Sequence, residues 1–224
     1  MINFNQVSIG YDNIHVLKDV SICINKSELI GLVGPNGSGK STFLKAIAGI
    51  VKPSKGTIFF DSEEVTISFF LNETILVDNL TGYNHLSLLS DSNIELSKKY
   101  IKALNAESFL SKKVKDFSLG MKQILILILT ICSDSKILLL DEVLNGLDPV
   151  NRMITIEILN NLKMKKIVFL SSHLLDDIQN NADRVFFFEN GTIVEAKDTD
   201  DLELKYLNTF GDKIYEKITK IWIS

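Results

Sequence analysis

The stretch from residue 34 to residue 42 constrains this chain more than any other. It reads Gly-Pro-Asn-Gly-Ser-Gly-Lys-Ser-Thr and fits the phosphate-loop pattern G-x-x-x-x-G-K-[ST]. Glycines let the backbone turn tightly close to an anion, and the N–H groups exposed in this way form a cradle for oxyanions. The residues predicted to contact phosphate are Gly34, Pro35, Asn36, Gly37, Ser38, Gly39, Lys40, Ser41 and Thr42.

The sequence on either side of this loop supports the same interpretation. Residues 28–33 are an apolar run typical of a buried strand, and residues 42–48 fit a helix that Gly49 closes. The helix would direct the positive end of its dipole at the bound anion. Lys40 is placed to reach the β- and γ-phosphates and the Ser41 hydroxyl to bind Mg²⁺. This context favours nucleotide binding over the alternative, a structural glycine turn.

Length and composition limit the remaining possibilities. The chain has 224 residues, which fits one large domain or one and a half small ones, and 46% of them are hydrophobic, enough for a full core. Its net charge of −4 gives no electrostatic reason to expect binding to nucleic acid or to an anionic membrane. Cys23 and Cys132 both lie in apolar runs, so we expect core residues of a reduced, cytosolic protein and no disulfide.

We find no segment that predicts membrane insertion. The N-terminus lacks the basic and then apolar signature of a signal peptide. The longest apolar run, residues 124–132, is well short of the roughly 20 residues that a transmembrane helix needs. We therefore expect a chain that is soluble by itself, so that any membrane role would need a separate subunit.

The hydrophobic pattern predicts an α/β fold. Residues 2–9 and 16–24 read as antiparallel strands separated by a turn at 10–13, and residues 78–110 have helix-like spacing of apolar residues. After that segment strands and helices alternate, which predicts a parallel sheet. The predicted elements in this part are the strand at 137–140, helix 150–162, strand 166–171, helix 174–180 and the strands 184–188 and 192–195.

Two carboxylates follow the apolar strand at 137–140. In a phosphate-loop protein the first, Asp141, can hold Mg²⁺, and the second, Glu142, can polarise the water that attacks the γ-phosphate. The alternative is a strand that ends at solvent with two ordinary acidic residues.

A further motif lies just before this strand. Residues 117–123 read Phe-Ser-Leu-Gly-Met-Lys-Gln. With this segment, the phosphate loop and the acidic pair in this order, the chain resembles the ATPase subunit of ATP-binding cassette (ABC) transporters over residues 1 to about 200. The resemblance implies that residues 124–129, whose β-branched composition suggests a strand, are helical.

The resemblance also implies a fold and a domain organisation. We expect a P-loop NTPase core with a mostly parallel sheet, an N-terminal antiparallel β subdomain and an inserted α-helical subdomain. The nucleotide-binding domain would cover residues 1–205, with the insertion at about 73–130, and a short tail would follow at 206–224. In that tail Ile214, Ile218 and Ile221 fit one helical face, which we expect to pack on the core.

Further site residues follow from the resemblance alone. Residues 117–123 match the family's signature motif, which implies that Ser118 and Gly120 contact the γ-phosphate of ATP held by a partner subunit. Asp148 matches the aspartate that links the two sites, and it also fits a helix N-cap before a proline. His173 matches the switch histidine, whereas His15 and His85 have no such context.

Two more residues match family positions, one at the adenine and one at Mg²⁺. Tyr11 corresponds to the aromatic residue that stacks on adenine, with a locally packed turn tyrosine as the alternative. Asn72 stands where the family has a glutamine that binds Mg²⁺ and senses the membrane partner. Because asparagine is one methylene shorter, its direct contact with Mg²⁺ is left open.

Three more positions depart from the family pattern. Leu119 replaces the first glycine of the signature, Ile124 replaces a common arginine, and Val143 replaces the usual proline after the glutamate. These departures, with Asn72, leave open how fast the chain hydrolyses ATP.

The resulting hypothesis is a Mg²⁺-dependent ATPase that powers a separate transmembrane permease, with export favoured. It would act on the cytoplasmic face of the membrane as a homodimer or beside a second cassette, without nucleic acid. The alternatives are a soluble ABC-type ATPase that acts without a membrane, and a degenerate cassette that binds ATP as a regulatory subunit.

Overall fold

The structure is a computed structural model that describes residues 1–11, 14–62, 64–70, 76–196 and 201–211. Its strands are β1 (Ile2–Tyr11), β2 (Ile14–Ile24), β3 (Glu28–Val33), β4 (Lys55–Phe60), β5 (Ile67–Phe70), β6 (Ile137–Asp141), β7 (Ile167–Ser171), β8 (Arg184–Glu189) and β9 (Thr192–Glu195). Its helices are α1 (Lys40–Ile47), α2 (Gly82–Leu86), α3 (Asp91–Ala103), α4 (Leu119–Ile131), α5 (Pro149–Leu162), α6 (Leu175–Asn181) and α7 (202–211).

A six-stranded sheet forms the centre, in the order β5-β6-β7-β3-β8-β9. The strands from β5 to β8 are parallel, and β9 is antiparallel to β8. Every residue of β3 and β7 is buried, because apolar layers cover both faces of the sheet. Alternate residues of β6 join opposite layers: Leu138 and Leu140 lie in one and Ile137 and Leu139 in the other.

A second, antiparallel sheet has the order β2-β1-β4. Helix α1 connects the two sheets through Phe43, whose ring centroid lies 5.0 Å from that of Phe4, 6.0 Å from Phe169 and 5.5 Å from Phe188. This packing fixes the start of α1 at the carboxyl end of β3. The predicted fold class, a mostly parallel core with an antiparallel β subdomain and added helices, is confirmed.

Between β5 and β6 lies the helical region, which we define as residues 76–131. The helical spacing predicted over 78–110 is divided between α2 and α3 and followed by two short 3₁₀ turns, Ala106–Ser108 and Val114–Asp116. Residues 124–129 belong to α4, so the helical interpretation of this β-branched run is confirmed. The helix is buried almost all round, and that burial overrides local strand propensity.

Two details of the sequence interpretation are wrong. Gly10 and Tyr11 continue β1 to a pairing of Tyr11 with Ile14, where we expected a turn to begin. Cys23 is exposed, because it points outward from an edge strand, whereas Cys132 is buried as predicted.

Two features predicted from sequence lie outside the residues that the structure describes. The predicted apolar face of Ile214, Ile218 and Ile221 lies beyond the described residues, as does Asn72. Among the residues that the structure describes, none of the helices is both long enough and apolar enough to cross a membrane.

Candidate functional site

The phosphate loop connects β3 to α1, as the sequence predicts. Gly39 is the N-cap of α1 and has φ 107°, a conformation that favours glycine. A Cβ at Gly34 would lie 2.7 Å from the Ser38 hydroxyl oxygen, so the loop closes tightly at this point. The Ser38 Oγ is buried and has no hydrogen-bond partner within the described parts of the chain. A narrow cradle with an unpaired hydroxyl suits an oxyanion.

Lys40 lies inside this loop. Its side chain is buried, and its Nζ donates to the carbonyl oxygens of Gly34 at 2.7 Å and Pro35 at 3.2 Å. Burial lowers the pKa of the Lys40 ammonium group, and the negative charges of Glu142 and Asp141 oppose that shift. The loop and the two carboxylates therefore belong to one electrostatic site.

Five polar side chains meet where β6 and β7 end, and we call them the β6–β7 edge: Asp141, Glu142, Asn145, Ser171 and His173. One carboxylate oxygen of Glu142 lies 2.8 Å from His173 Nε2, and the other accepts from Asn145 Nδ2 at 3.1 Å. Ser171 Oγ donates to Asp141 Oδ1 at 2.6 Å. The acidic pair and the histidine predicted from sequence are thus brought together.

The backbone of Glu142 is unusual. Its φ of 54° lies in the left-handed region, where a residue with a side chain costs about 1–3 kcal/mol. Its N–H donates to the Ser171 hydroxyl oxygen at 2.8 Å and lies 3.2 Å from the Ser171 carbonyl oxygen. These bonds hold the strained residue, so that its carboxylate lies against His173.

Helix α4 and the segment after Glu142 form a second part of the site. Ser118 is the N-cap of α4, and its hydroxyl accepts from Met121 N at 3.3 Å. A Cβ at Gly120 would lie 3.4 Å from the carbonyl oxygen of Gly146, so the two segments pack closely. The N-terminal end of α4, the positive end of the helix dipole, suits an anion that approaches from outside.

Asp148 caps α5, which fits the structural role considered for it. Its carboxylate accepts from the backbone N–H groups of Val150 and Asn151 at 3.0 and 3.1 Å. These bonds, that from Asn151 first, lower the pKa of Asp148. Arg152, one turn further, makes a bidentate ion pair with Asp177 of α6 at 2.7 and 2.8 Å. The helix that begins at Asp148 is therefore tied to the helix that follows His173.

The departures from the family pattern differ in their surroundings. Leu119 is 69% exposed at the start of α4 and presents an apolar surface, whereas Ile124 and Val143 are buried in the core. An arginine at position 124 would bring a charge into this apolar packing. Ile124 and Val143 therefore act as core residues and hold the segments on either side of β6.

Tyr11 lies at the end of β1 and is 47% exposed. A cleft of about 400 Å³ beside the phosphate loop is lined instead by His15, Val16 and Phe210, together with Pro35 to Ser38. Sequence reasoning missed Phe210 and the partners Asn145 and Ser171. Ser171 could have been noticed as a polar residue at the end of an apolar strand, next to a candidate histidine.

Comparisons with known proteins all match this chain to ABC transporter proteins. The family model described as ABC transporter matches residues 17–145. The lantibiotic transport ATP-binding protein SrtF of Streptococcus pyogenes is 31% identical over 214 residues, covering 91% of this chain and 93% of the relative. The ABC transporter ATP-binding protein YtrB of Bacillus subtilis is 31% identical over 219 residues, covering 92% and 75%.

A solved structure agrees with these sequence matches. The ATP-binding subunit of an ABC transporter superposes with a TM-score of 0.81 at 26% identity, covering 98% of this chain and 99% of that one.

Proposed function

The chain belongs to the ABC transporter family, and from that premise we propose that it binds and hydrolyses ATP to power a separate transmembrane permease. The observation that carries this proposal is the β6–β7 edge, where Glu142 is held between His173 and Asn145 within the electrostatic reach of Lys40. A chain that merely retained the fold would have no need to orient this carboxylate in a strained backbone.

The triphosphate would lie in the cradle of residues 34–42. Its charge fits the loop N–H groups, the buried Ser38 hydroxyl and the Lys40 ammonium group. The oxygen ligands available from Ser41 and Asp141 suit Mg²⁺, a hard cation. Mg²⁺, when bound, offsets negative charge on the phosphates.

Glu142 and His173 would carry the hydrolytic step. Glu142 accepts a hydrogen bond from water, and the water oxygen bonds to the γ-phosphorus as the bond from that phosphorus to the bridging oxygen breaks. The products are ADP and inorganic phosphate. The proton of the water passes to Glu142 and then to solvent, while His173 keeps the carboxylate oriented.

A second cassette would complete each site. Ser118 and Gly120 at the start of α4 would contact the γ-phosphate bound by the partner, and Asp148 would link the two sites. The partner would be a second copy or a related cassette. Tyr11 at the adenine and Asn72 near Mg²⁺ remain part of this proposal.

The match to a lantibiotic transport protein supports transport as the process, and we propose export from the cytoplasm. The permease would dock on the exposed apolar side chains of the helical region, Val77, Leu80 and Tyr83. No observation favours a function with nucleic acid over this one.

The test is Mg²⁺-ATP hydrolysis by wild type beside Glu142→Gln, with the mass of each followed by light scattering. We expect turnover in the wild type, a loss of about 100-fold or more in the variant, and an ATP-dependent dimer of the variant. Glu157→Gln, a change of the same kind on α5, is the control and should keep full turnover. Tight ATP binding without turnover by the wild type would instead favour a regulatory cassette.

A further inference from the structure

Ser171 occupies a position at the β6–β7 edge that the proposed reaction does not use directly. It is the last residue of β7, is fully buried and pairs in parallel register with Asp141 of β6. It lies two residues before His173. Its side chain is bonded to two of the residues assigned to metal binding and hydrolysis, Asp141 and Glu142.

The Ser171 hydroxyl makes two bonds whose directions are fixed by chemistry. A backbone N–H can only donate, so the 2.8 Å contact with Glu142 N uses the hydroxyl oxygen as acceptor. An ionised carboxylate can only accept, so the hydroxyl hydrogen is directed to Asp141 Oδ1 at 2.6 Å. The hydroxyl has a single hydrogen, and that hydrogen is committed to Asp141.

These two bonds act on different parts of the site. The bond to Asp141 fixes the rotation of the carboxylate proposed to hold Mg²⁺. The bond from Glu142 N supports the left-handed backbone that directs the Glu142 side chain at His173. The Ser171 carbonyl oxygen also lies near Glu142 N, at 3.2 Å, so loss of the hydroxyl alone would leave that N–H an acceptor.

We propose that Ser171 is a positioning residue for hydrolysis, whose hydroxyl sets the orientation of Asp141 and of Glu142 together. This inference rests on the proposed ATPase function. It assigns to a buried strand residue the task of keeping the metal-binding carboxylate and the water-orienting carboxylate in one fixed relation.

The test compares Ser171→Ala with Ser135→Ala. Ser135 is also a buried serine with a hydroxyl partner, Ser133 Oγ at 2.9 Å, but it precedes β6 at the opposite end of that strand. We expect Ser171→Ala to lower kcat about tenfold or more, as for loss of a hydrogen bond to a charged group. Ser135→Ala should keep the wild-type kcat.

A second measurement does not depend on turnover. The affinity for a fluorescent ATP analogue is measured once with Mg²⁺ and once with EDTA, at low temperature so that hydrolysis is slow. If Ser171 orients Asp141, Ser171→Ala should lose most of the gain in affinity that Mg²⁺ gives the wild type, with unchanged affinity in EDTA. A purely structural role would lower both affinities alike. If Ser171→Ala does not fold, Ser171→Cys replaces it in both assays, because a thiol is only a weak donor and a weak acceptor.

The outcomes separate the two proposals. If the wild type hydrolyses ATP and Ser171→Ala keeps both its kcat and its Mg²⁺ dependence, the inference about Ser171 is overturned and the proposed function stands. If the wild type binds ATP without hydrolysis, the proposed function fails, and the Mg²⁺ dependence alone decides whether Ser171 orients Asp141.

Discussion

The β6–β7 edge and the helical region hold their side chains in opposite ways. At the edge, polar groups fix one another through directed bonds of 2.6 to 3.1 Å, and the Glu142 side chain keeps 29% of its surface exposed. In the helical region most of the buried side chains are apolar and are held by packing. Phe109 and Phe117, for example, meet edge to face with ring centroids 5.0 Å apart.

This difference separates what a substitution should change. Directed bonds control where a charge points, so their loss at the edge should act mainly on turnover and lower the free energy of unfolding by about 1–3 kcal/mol at most. Packing controls volume and buried area, so its loss in the helical region should reduce stability and leave ATP affinity unchanged.

The largest change in stability should come from Phe109→Ala. Phe109 is buried, and removing its ring should lower the free energy of unfolding by about 3–5 kcal/mol. Urea unfolding followed by circular dichroism measures this, and the KM for ATP of the folded variant should stay within about twofold. Leu88→Ala is the control: that side chain is 81% exposed, so the change should cost less than about 0.5 kcal/mol. A loss of ATP affinity with unchanged stability would contradict the division between the two regions.

Lys40→Met should produce the opposite result. It keeps the aliphatic stem but removes the ammonium group, so ATP affinity or turnover should fall about 100-fold or more. The free energy of unfolding should change by no more than about 1–3 kcal/mol, because the carbonyl oxygens of Gly34 and Pro35 lose the Lys40 donor. Calorimetry with ATP and urea unfolding measure the two effects. Lys45→Met, further along α1, should bind ATP normally, and equal losses in both variants would refute a specific role for Lys40.

The smallest effect concerns Asp148 and depends on pH. Its pKa is lowered in the folded state, so its carboxylate contributes stability that is present above the unfolded value of about 3.9 and lost as the pH falls through the lower folded value. The difference in unfolding free energy between wild type and Asp148→Ala should be constant from about pH 5 to pH 7 and shrink below about pH 4. Urea unfolding across this range measures it, and a difference that grows in acid would contradict the assigned N-cap.

Local sequence is enough to predict a feature when neighbouring residues alone form it. The phosphate loop is defined by nine consecutive residues, and their spacing predicts the turn, the start of α1 and the position of Lys40. The N-cap of α4 is also local, since the Ser118 hydroxyl accepts from a residue only three positions later. Both features could be predicted without knowledge of the rest of the fold.

The remaining features depend on register between distant segments. Ser171 meets Asp141 because β6 and β7 pair in parallel with those residues opposite each other, 30 positions apart in sequence. Hydrophobic pattern predicts that both strands exist, but it does not fix which residues are paired. Phe210 also comes to the cleft beside the phosphate loop from a distant part of the sequence. An apolar run predicts a core position for Cys23, but composition does not show which face of an edge strand is covered.

The left-handed backbone of Glu142 has a consequence for protein engineering. A library selected only for heat resistance would favour Glu142→Gly, because glycine adopts this conformation without penalty. The selected variant would unfold at a higher temperature but would lack the carboxylate that contacts His173. At this residue thermal stability and ATP hydrolysis are in competition, so a screen for thermostable variants has to measure phosphate release as well as the melting temperature.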